Sequence, residues 1–194
     1  MAKRLPSGYS AVAQWTLIQT PVWFSVVLSG LSFLAFFLTL SATLALASLA
    51  TGVDTISLGI GGILLGLVLG LVLHEATHAV VYLAFGAHPT FGIKPWTRFG
   101  PVFYVTAPGS YLRRAGYLAV GLAPLVLLTP ILLLAAMLLP AGSITATLFA
   151  ISFNVAGSVG DVLMAWKVLA YPSETYFQDT TTADGFIAYG QAPR

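Results

Sequence analysis

The most constraining feature of this sequence is a pair of long stretches, Leu5–Val53 and Ala115–Gly160, that contain no Asp, Glu, Lys or Arg. One crossing of a lipid bilayer needs about 20 predominantly apolar residues, so each stretch is longer than a single span and must be divided. Charged residues make up 7% of the chain, whereas soluble domains carry about 25%. This composition excludes a soluble globular protein. The lack of cysteine also excludes a disulfide scaffold and thiolate chemistry.

The apolar pattern predicts four membrane-spanning helices. The first uncharged stretch contains one helix, and the second is divided into two helices at Pro140–Ser143. An apolar run between the two stretches forms the remaining helix, which is the second in chain order. The predicted spans are Trp23–Leu49, Ile56–Phe85, Arg114–Leu139 and Ile144–Ala170. The segment Gly86–Ser110 contains four prolines and the β-prone run Val102–Thr106, which is typical of a loop with a short strand. We therefore predict an all-α polytopic membrane protein with about four transmembrane helices and a short β-strand or hairpin between helices 2 and 3.

The ends of the chain differ from this apolar centre. Residues 1–20 are expected to lie at the membrane interface, because Trp15 and Trp23 suit the headgroup region. Residues 171–194 are polar, and we expect a partly ordered tail. With these ends included, residues 1–194 are predicted to form a single membrane-embedded domain.

The distribution of cations predicts the orientation of the chain. With the N-terminus inside and four crossings, all eight Lys and Arg residues lie on or near the cytoplasmic side. We therefore expect a multi-pass protein of the cell (plasma) membrane with both termini cytoplasmic. No basic stripe with interleaved aromatic residues is present in the sequence, so nucleic acid is not an expected partner.

The chemistry of the chain is concentrated in the pattern His-Glu-x-x-His at residues 74–78. Glu75 and Asp161 are the only acidic residues inside the apolar spans, and ionisable groups at membrane depth are costly unless they have a function. His74 and His78 are four residues apart, so both imidazoles leave the same face of a helix and can share one metal ion. Glu75 lies beside them, where it can act on a water at the metal, as in zincins.

Asp161 is the predicted third ligand, because a catalytic zinc site keeps three protein ligands and one open position. In the predicted topology, Asp161 and the two histidines lie at a similar depth, towards the cytoplasmic side of a ~30 Å hydrocarbon core. The pattern of small residues also places the two helices side by side. Small residues recur towards each set of ligands and would let the two helices approach closely. They are Gly62, Gly66 and Gly70 in helix 2, and Asn154, Gly157 and Ser158 in helix 4.

The sequence resembles a family of zincin membrane peptidases related to site-2 proteases. The resemblance rests on residues 74–78 and on the segment 154–161 about 80 residues later, and it covers roughly Ile56 to Ala170. It implies that His74, His78 and Asp161 bind zinc, that Glu75 is the general base, and that Asn154 is a polar group near the scissile carbonyl. Site-2 proteases have an Asn-x-x-Pro segment that leads to Asp-Gly. Here Gly157 replaces the proline and Val162 follows the aspartate, which indicates a divergent branch.

These observations predict an intramembrane zinc metalloprotease that cleaves a membrane-protein or peptide substrate within the lipid bilayer. The alternative is a non-proteolytic membrane protein that binds or transports a metal with the same ligands. A structural membrane subunit would bind no metal. Single residues also have simpler interpretations: Asp161 as a neutral carboxyl hydrogen-bonded in the bundle, Asn154 as an interhelical contact, and His88 as a solvated loop residue.

Overall fold

The computed structural model describes residues 4–51, 58–97, 100–181 and 184–191. The helices are α1 (Val22–Thr51), α2 (Ile60–Ala84), α3 (Arg114–Ala123), α4 (Thr129–Leu138) and α5 (Ile144–Leu169). The strands are β1 (Tyr9–Thr16), β2 (Thr90–Thr97), β3 (Gly100–Thr106), β4 (Leu112–Arg113), β5 (Tyr176–Asp179) and β6 (Gly185–Gln191). Short 3₁₀ turns at Leu17–Gln19 and Ala141–Ser143 precede α1 and α5.

Within the described ranges, four helical segments are long and apolar enough to cross a membrane, which confirms the predicted number of spans. These segments are Val22–Leu49, Ile60–Ala84, Arg114–Leu138 and Ile144–Leu169. Large apolar side chains such as Phe33 and Phe37 in α1 are exposed, as expected of side chains that contact lipid. The fold is therefore compatible with a multi-pass membrane protein.

The third span is not a regular helix. A π-helical segment, Pro124–Leu128, connects α3 to α4. Pro124 and Pro130 lack the backbone N–H that an α-helix uses for its i to i−4 hydrogen bonds, and a π-turn is one way in which a helix continues past such a gap.

The chain is divided into two compact units. The first comprises Met1–Val27, Glu75–Ala123 and Asp161–Arg194, and the second comprises Leu28–His74 and Pro124–Gly160. Each unit has its own buried apolar cluster.

In the second unit, glycines of α2 allow close packing against α5. A Cβ atom on Gly66 would lie 2.7 Å from Cβ of Phe149, and one on Gly70 would lie 2.9 Å from Cβ of Phe153. Both distances are too short for carbon atoms, so only glycine fits at either position. This confirms the prediction that the glycine row of the second span is a packing surface against the last span.

In the first unit, strands from near the two ends of the sequence join β4 in one antiparallel sheet, in the order β1-β6-β5-β4. Trp15 pairs with Phe186, and Phe177 pairs with Ala188. The side chains of Phe177 and Phe186 are fully buried against Tyr117 and other aromatic rings. The all-α prediction is correct for the spans but misses this sheet, and the segment expected to be a partly ordered tail supplies two of its strands. Strand residues alternate between the two faces of a sheet, so Gln178 of the expected tail lies on the face opposite to that of the buried Phe177.

The predicted hairpin between the second and third spans is confirmed. Strands β2 and β3 pair antiparallel, with Ile93 opposite Phe103. Gly86, at a φ of +73°, ends α2 in a left-handed conformation that favours glycine. The N–H of Ala87 then donates to the carbonyl of Tyr82, which closes the last helical turn.

Candidate metal centre

Helix α2 carries the two histidines of the motif on one face. An α-helix turns 100° per residue, so His74 and His78 lie one above the other, and Glu75 lies next to His74 along the chain. His74 is buried, and the side chain of His78 is 12% exposed. Glu75 is partly buried.

Asp161 of α5 joins these histidines. One potential ligand atom from each of His74, His78 and Asp161 lies within 4.8 Å of the others, and Nε2 of His78 is 3.7 Å from Oδ2 of Asp161. Two imidazole nitrogens and one carboxylate oxygen are a donor set that zinc accepts in catalytic sites, with one position left for water or substrate. The residues present therefore fit a zinc ion. His88, which is exposed, is not part of this group.

Asn154 holds the imidazole of His74. Its amide nitrogen donates to the carbonyl of Pro124 at 2.9 Å and to Oγ1 of Thr129 at 2.9 Å. Since a carbonyl only accepts, this bond fixes the orientation of the amide and leaves Oδ1 as the atom that faces His74. Nδ1 of His74 lies 3.0 Å from Oδ1 and donates its proton to it. In the neutral imidazole, the other ring nitrogen, Nε2, then carries no proton and can bind a metal.

The imidazole of His78 is oriented by the backbone. Its Nδ1 donates to the carbonyl of Val120 in α3 at 2.9 Å, which in the neutral imidazole again leaves Nε2 as the unprotonated nitrogen. This is the nitrogen that faces Asp161. Both histidines are thus held in the tautomer that a metal requires, each by an acceptor on its Nδ1 side.

The family resemblance implies that Asn154 is a polar group near the scissile carbonyl, and the structure shows which hydrogen bonds this residue makes. Asn154 is fully buried, and its amide oxygen and nitrogen are both engaged, with His74 on one side and Pro124 and Thr129 on the other. These contacts give it a role in orienting His74. Gly157 of α5 is also close to this ring: a Cβ atom there would lie 3.2 Å from Cε1 of His74. The residue that departs from the site-2 pattern therefore makes room for His74.

A second polar cluster lies one turn further along α2, and sequence reasoning missed it. Asp179 of β5 accepts hydrogen bonds from the hydroxyl of Tyr82 at 2.6 Å, from the hydroxyl of Tyr117 at 2.9 Å and from the N–H of Ala107 at 3.2 Å. Both tyrosines are buried. The only sequence signal was Tyr82, four residues after His78 on the same helical face. Asp179 itself lies in a polar segment that gave no reason to expect burial.

This cluster leads to a pH-dependent stability. Burial raises the pKa of the Asp179 carboxyl above its ordinary value of 3.8, although the hydrogen bonds from Tyr82 and Tyr117 act in the opposite direction. The folded state therefore holds this proton more tightly than the unfolded state does. Its contribution to stability is fully present below the unfolded pKa and is lost as the pH rises through the folded pKa.

We expect the pH dependence of stability to be shallower in Asp179→Asn than in the wild type at pH values above 3.8. Asparagine does not titrate, its oxygen can still accept from Tyr82 and Ala107, and its nitrogen can donate to the oxygen of Tyr117. The measurement is the melting temperature in detergent across this pH range. Glu174→Gln removes an exposed carboxyl and serves as the control. Parallel curves for wild type and Asp179→Asn would show that Asp179 has no raised pKa.

The chain matches a known protein family. A family model, DUF3267, described as "Putative zincin peptidase", matches residues 67–176. This range contains His74, Glu75, His78, Asn154 and Asp161, and it ends before Asp179. Neither the curated proteins nor the solved structures include a match to the chain.

Proposed function

The chain belongs to this zincin peptidase family, and on that premise we propose that it is an intramembrane zinc metalloprotease that hydrolyses a peptide bond of a membrane-associated substrate. The observation that carries the proposal is the meeting of His74, His78 and Asp161, whose ligand atoms lie within 4.8 Å of one another. These residues lie in two helices that are long and apolar enough to span a membrane. Two motifs in separate spanning helices also support an enzyme of the site-2 type.

The proposed roles follow from the chemistry of the side chains. His74, His78 and Asp161 would hold the zinc ion. When bound, zinc supplies a Lewis acid that polarises the scissile carbonyl and lowers the pKa of water towards ~7. Glu75 accepts the proton of the attacking water and returns it to the leaving amine. Asn154 and Val120 keep the imidazoles of His74 and His78 in the tautomer that binds metal.

The proposal includes a location and a partner. The positions of the cations support a protein of the plasma membrane with both termini in the cytoplasm and the site nearer the cytoplasmic face. The pairing of β1 with β6 supports placing both ends of the chain on the same side. The substrate is a membrane protein or a peptide that reaches this site from the bilayer, and nucleic acid is not a partner.

A protein that only binds or transports metal would use the same three ligands. Glu75 separates the two functions, because a binding site needs no general base next to its ligands. A protein that only binds or transports the metal should keep its function when the Glu75 carboxylate is removed.

Removal of the metal tests the proposal directly. We expect the purified protein to contain one zinc per chain and to cleave transmembrane peptides from a synthetic panel in liposomes. A strong chelator should remove the zinc and stop cleavage, and added zinc should restore it. Zinc content is measured by mass spectrometry and cleavage by the appearance of new peptide termini. Stoichiometric zinc with no cleavage of any peptide would favour the binding protein, and the absence of zinc would contradict both functions.

A further inference from the structure

Pro124 lies in the third span, where the carbonyls around it accept hydrogen bonds from the site. In a regular α-helix, the N–H of residue 124 would donate to the carbonyl of Val120. Proline has no N–H, so this intrahelical bond is missing. The oxygen of Val120 instead accepts from Nδ1 of His78 at 2.9 Å.

The carbonyl of Pro124 itself supports the other histidine. It lies at the start of the π-helical segment, where the regular i to i−4 pattern is interrupted. It accepts from the amide nitrogen of Asn154 at 2.9 Å, and that amide in turn faces Nδ1 of His74. Oγ1 of Thr129, at the other end of the π-turn, accepts from the same amide nitrogen at 2.9 Å.

Pro124 therefore affects the hydrogen-bond acceptor of each histidine. The carbonyl oxygen of Val120 can accept from His78 because Pro124 has no N–H to donate to it. The carbonyl oxygen of Pro124 accepts from the amide of Asn154, which holds His74. Carbonyl oxygens accept and never donate, so both histidines keep the proton on Nδ1 and present Nε2 to the metal. Such partners of metal ligands typically contribute about 10- to 100-fold to metal affinity.

We propose that Pro124, together with the π-turn it begins, is the positioning residue for both metal-binding histidines. This inference rests on the proposed function, because it assumes that His74 and His78 bind zinc. It explains the π-helical segment of the third span by its contribution to the metal centre. It also adds Pro124 and Thr129 to the residues on which zinc binding depends, although neither contacts the metal.

The first test is Pro124→Ala, with Pro130→Ala as the matched control. Alanine restores an N–H that competes with His78 for the carbonyl of Val120 and favours a regular helix. We expect zinc to bind about 10- to 100-fold more weakly and the visible spectrum of the cobalt-substituted protein to shift. The melting temperature of the metal-free protein should be equal or higher, because alanine suits a helix interior better than proline. Pro130 is exposed, and its replacement should leave zinc affinity and the cobalt spectrum unchanged.

The second test uses Thr129, which also decides the question if Pro124→Ala does not fold. Thr129→Val removes the hydroxyl that accepts from Asn154, whereas Thr129→Ser retains it. We expect weaker zinc binding and a shifted cobalt spectrum in Thr129→Val, and recovery of both in Thr129→Ser. Wild-type zinc affinity and spectrum in Pro124→Ala, or in Thr129→Val, would overturn the inference. A wild-type protein without zinc would instead overturn the proposed function, so the two failures are distinguishable.

Discussion

Replacing Glu75 by glutamine is expected to slow peptide cleavage by about 10²- to 10⁴-fold, the usual contribution of a general base, while zinc stays bound. The amide of glutamine has nearly the same shape as the carboxylate but cannot accept the proton of the attacking water. His74, His78 and Asp161 are unchanged, so the metal site should remain intact. The measurement pairs single-turnover cleavage in liposomes with zinc content and melting temperature.

The matched control for this variant is Glu174→Gln, which makes the same chemical change at an exposed position after α5. It should cleave at the wild-type rate. Wild-type cleavage by Glu75→Gln would remove the zincin mechanism. A loss of zinc in the same variant would mean that Glu75 is a ligand instead of a base.

Replacing His78 by alanine is expected to weaken zinc binding more than any change in a residue that only supports a ligand. The change removes one of three ligands, so the effect should exceed the about 10- to 100-fold loss that follows changes in residues that only support a ligand. It also leaves the carboxylate of Asp161 without the imidazole that lies 3.7 Å away. Zinc titration of the metal-free protein measures the affinity, and cleavage should fall with it.

Two further variants define the ligand set. Asp161→Ala should weaken zinc binding in the same way, because Asp161 supplies the oxygen of the group. His88→Ala replaces an exposed histidine outside that group and should bind zinc normally. Normal zinc binding by His78→Ala or Asp161→Ala would contradict the assignment, and weak binding by His88→Ala would place a ligand in the loop after α2.

The sequence was sufficient to predict the features that depend on local pattern. Apolar run length gave the four spans, and four-residue spacing placed His74 and His78 on one helical face. Asp161 could be paired with them because an apolar span contains few ionisable groups. In addition, the rise per residue of a helix converts a position in the chain into a depth in the membrane. In a soluble protein, acidic residues on every surface would offer many alternative ligands.

The sheet could not be predicted in this way, because it depends on contacts between distant parts of the chain. Strand β1 lies near the start of the chain and pairs with β6 near its end. The alternation of Tyr176, Phe177 and Gln178 is consistent with a strand, but three residues of alternation do not identify a partner. The contacts of Asp179 with Tyr82, Tyr117 and Ala107 also join distant parts of the chain, so they could not be predicted either.

The role of Asn154 and the π-turn could not be predicted for a related reason. The family resemblance locates Asn154 in the chain but says nothing of its hydrogen bonds. Pro124 in an apolar span indicates an irregular helix, yet only the structure shows that the freed carbonyl of Val120 accepts from His78.

If the four apolar helices span a membrane as proposed, the antiparallel pairing of β1 with β6 makes their correct insertion a condition for completing the fold. During synthesis, β1 leaves the ribosome before the first span and β6 follows the last, so the sheet can close only after every crossing has been made. If one helix failed to insert, an odd number of crossings would leave these strands on opposite sides of the membrane. Phe177 and Phe186, which are completely buried in the folded protein, would then remain exposed to water. In the proposed topology, the β1-β6-β5-β4 sheet can therefore form only when an even number of helices has crossed the membrane.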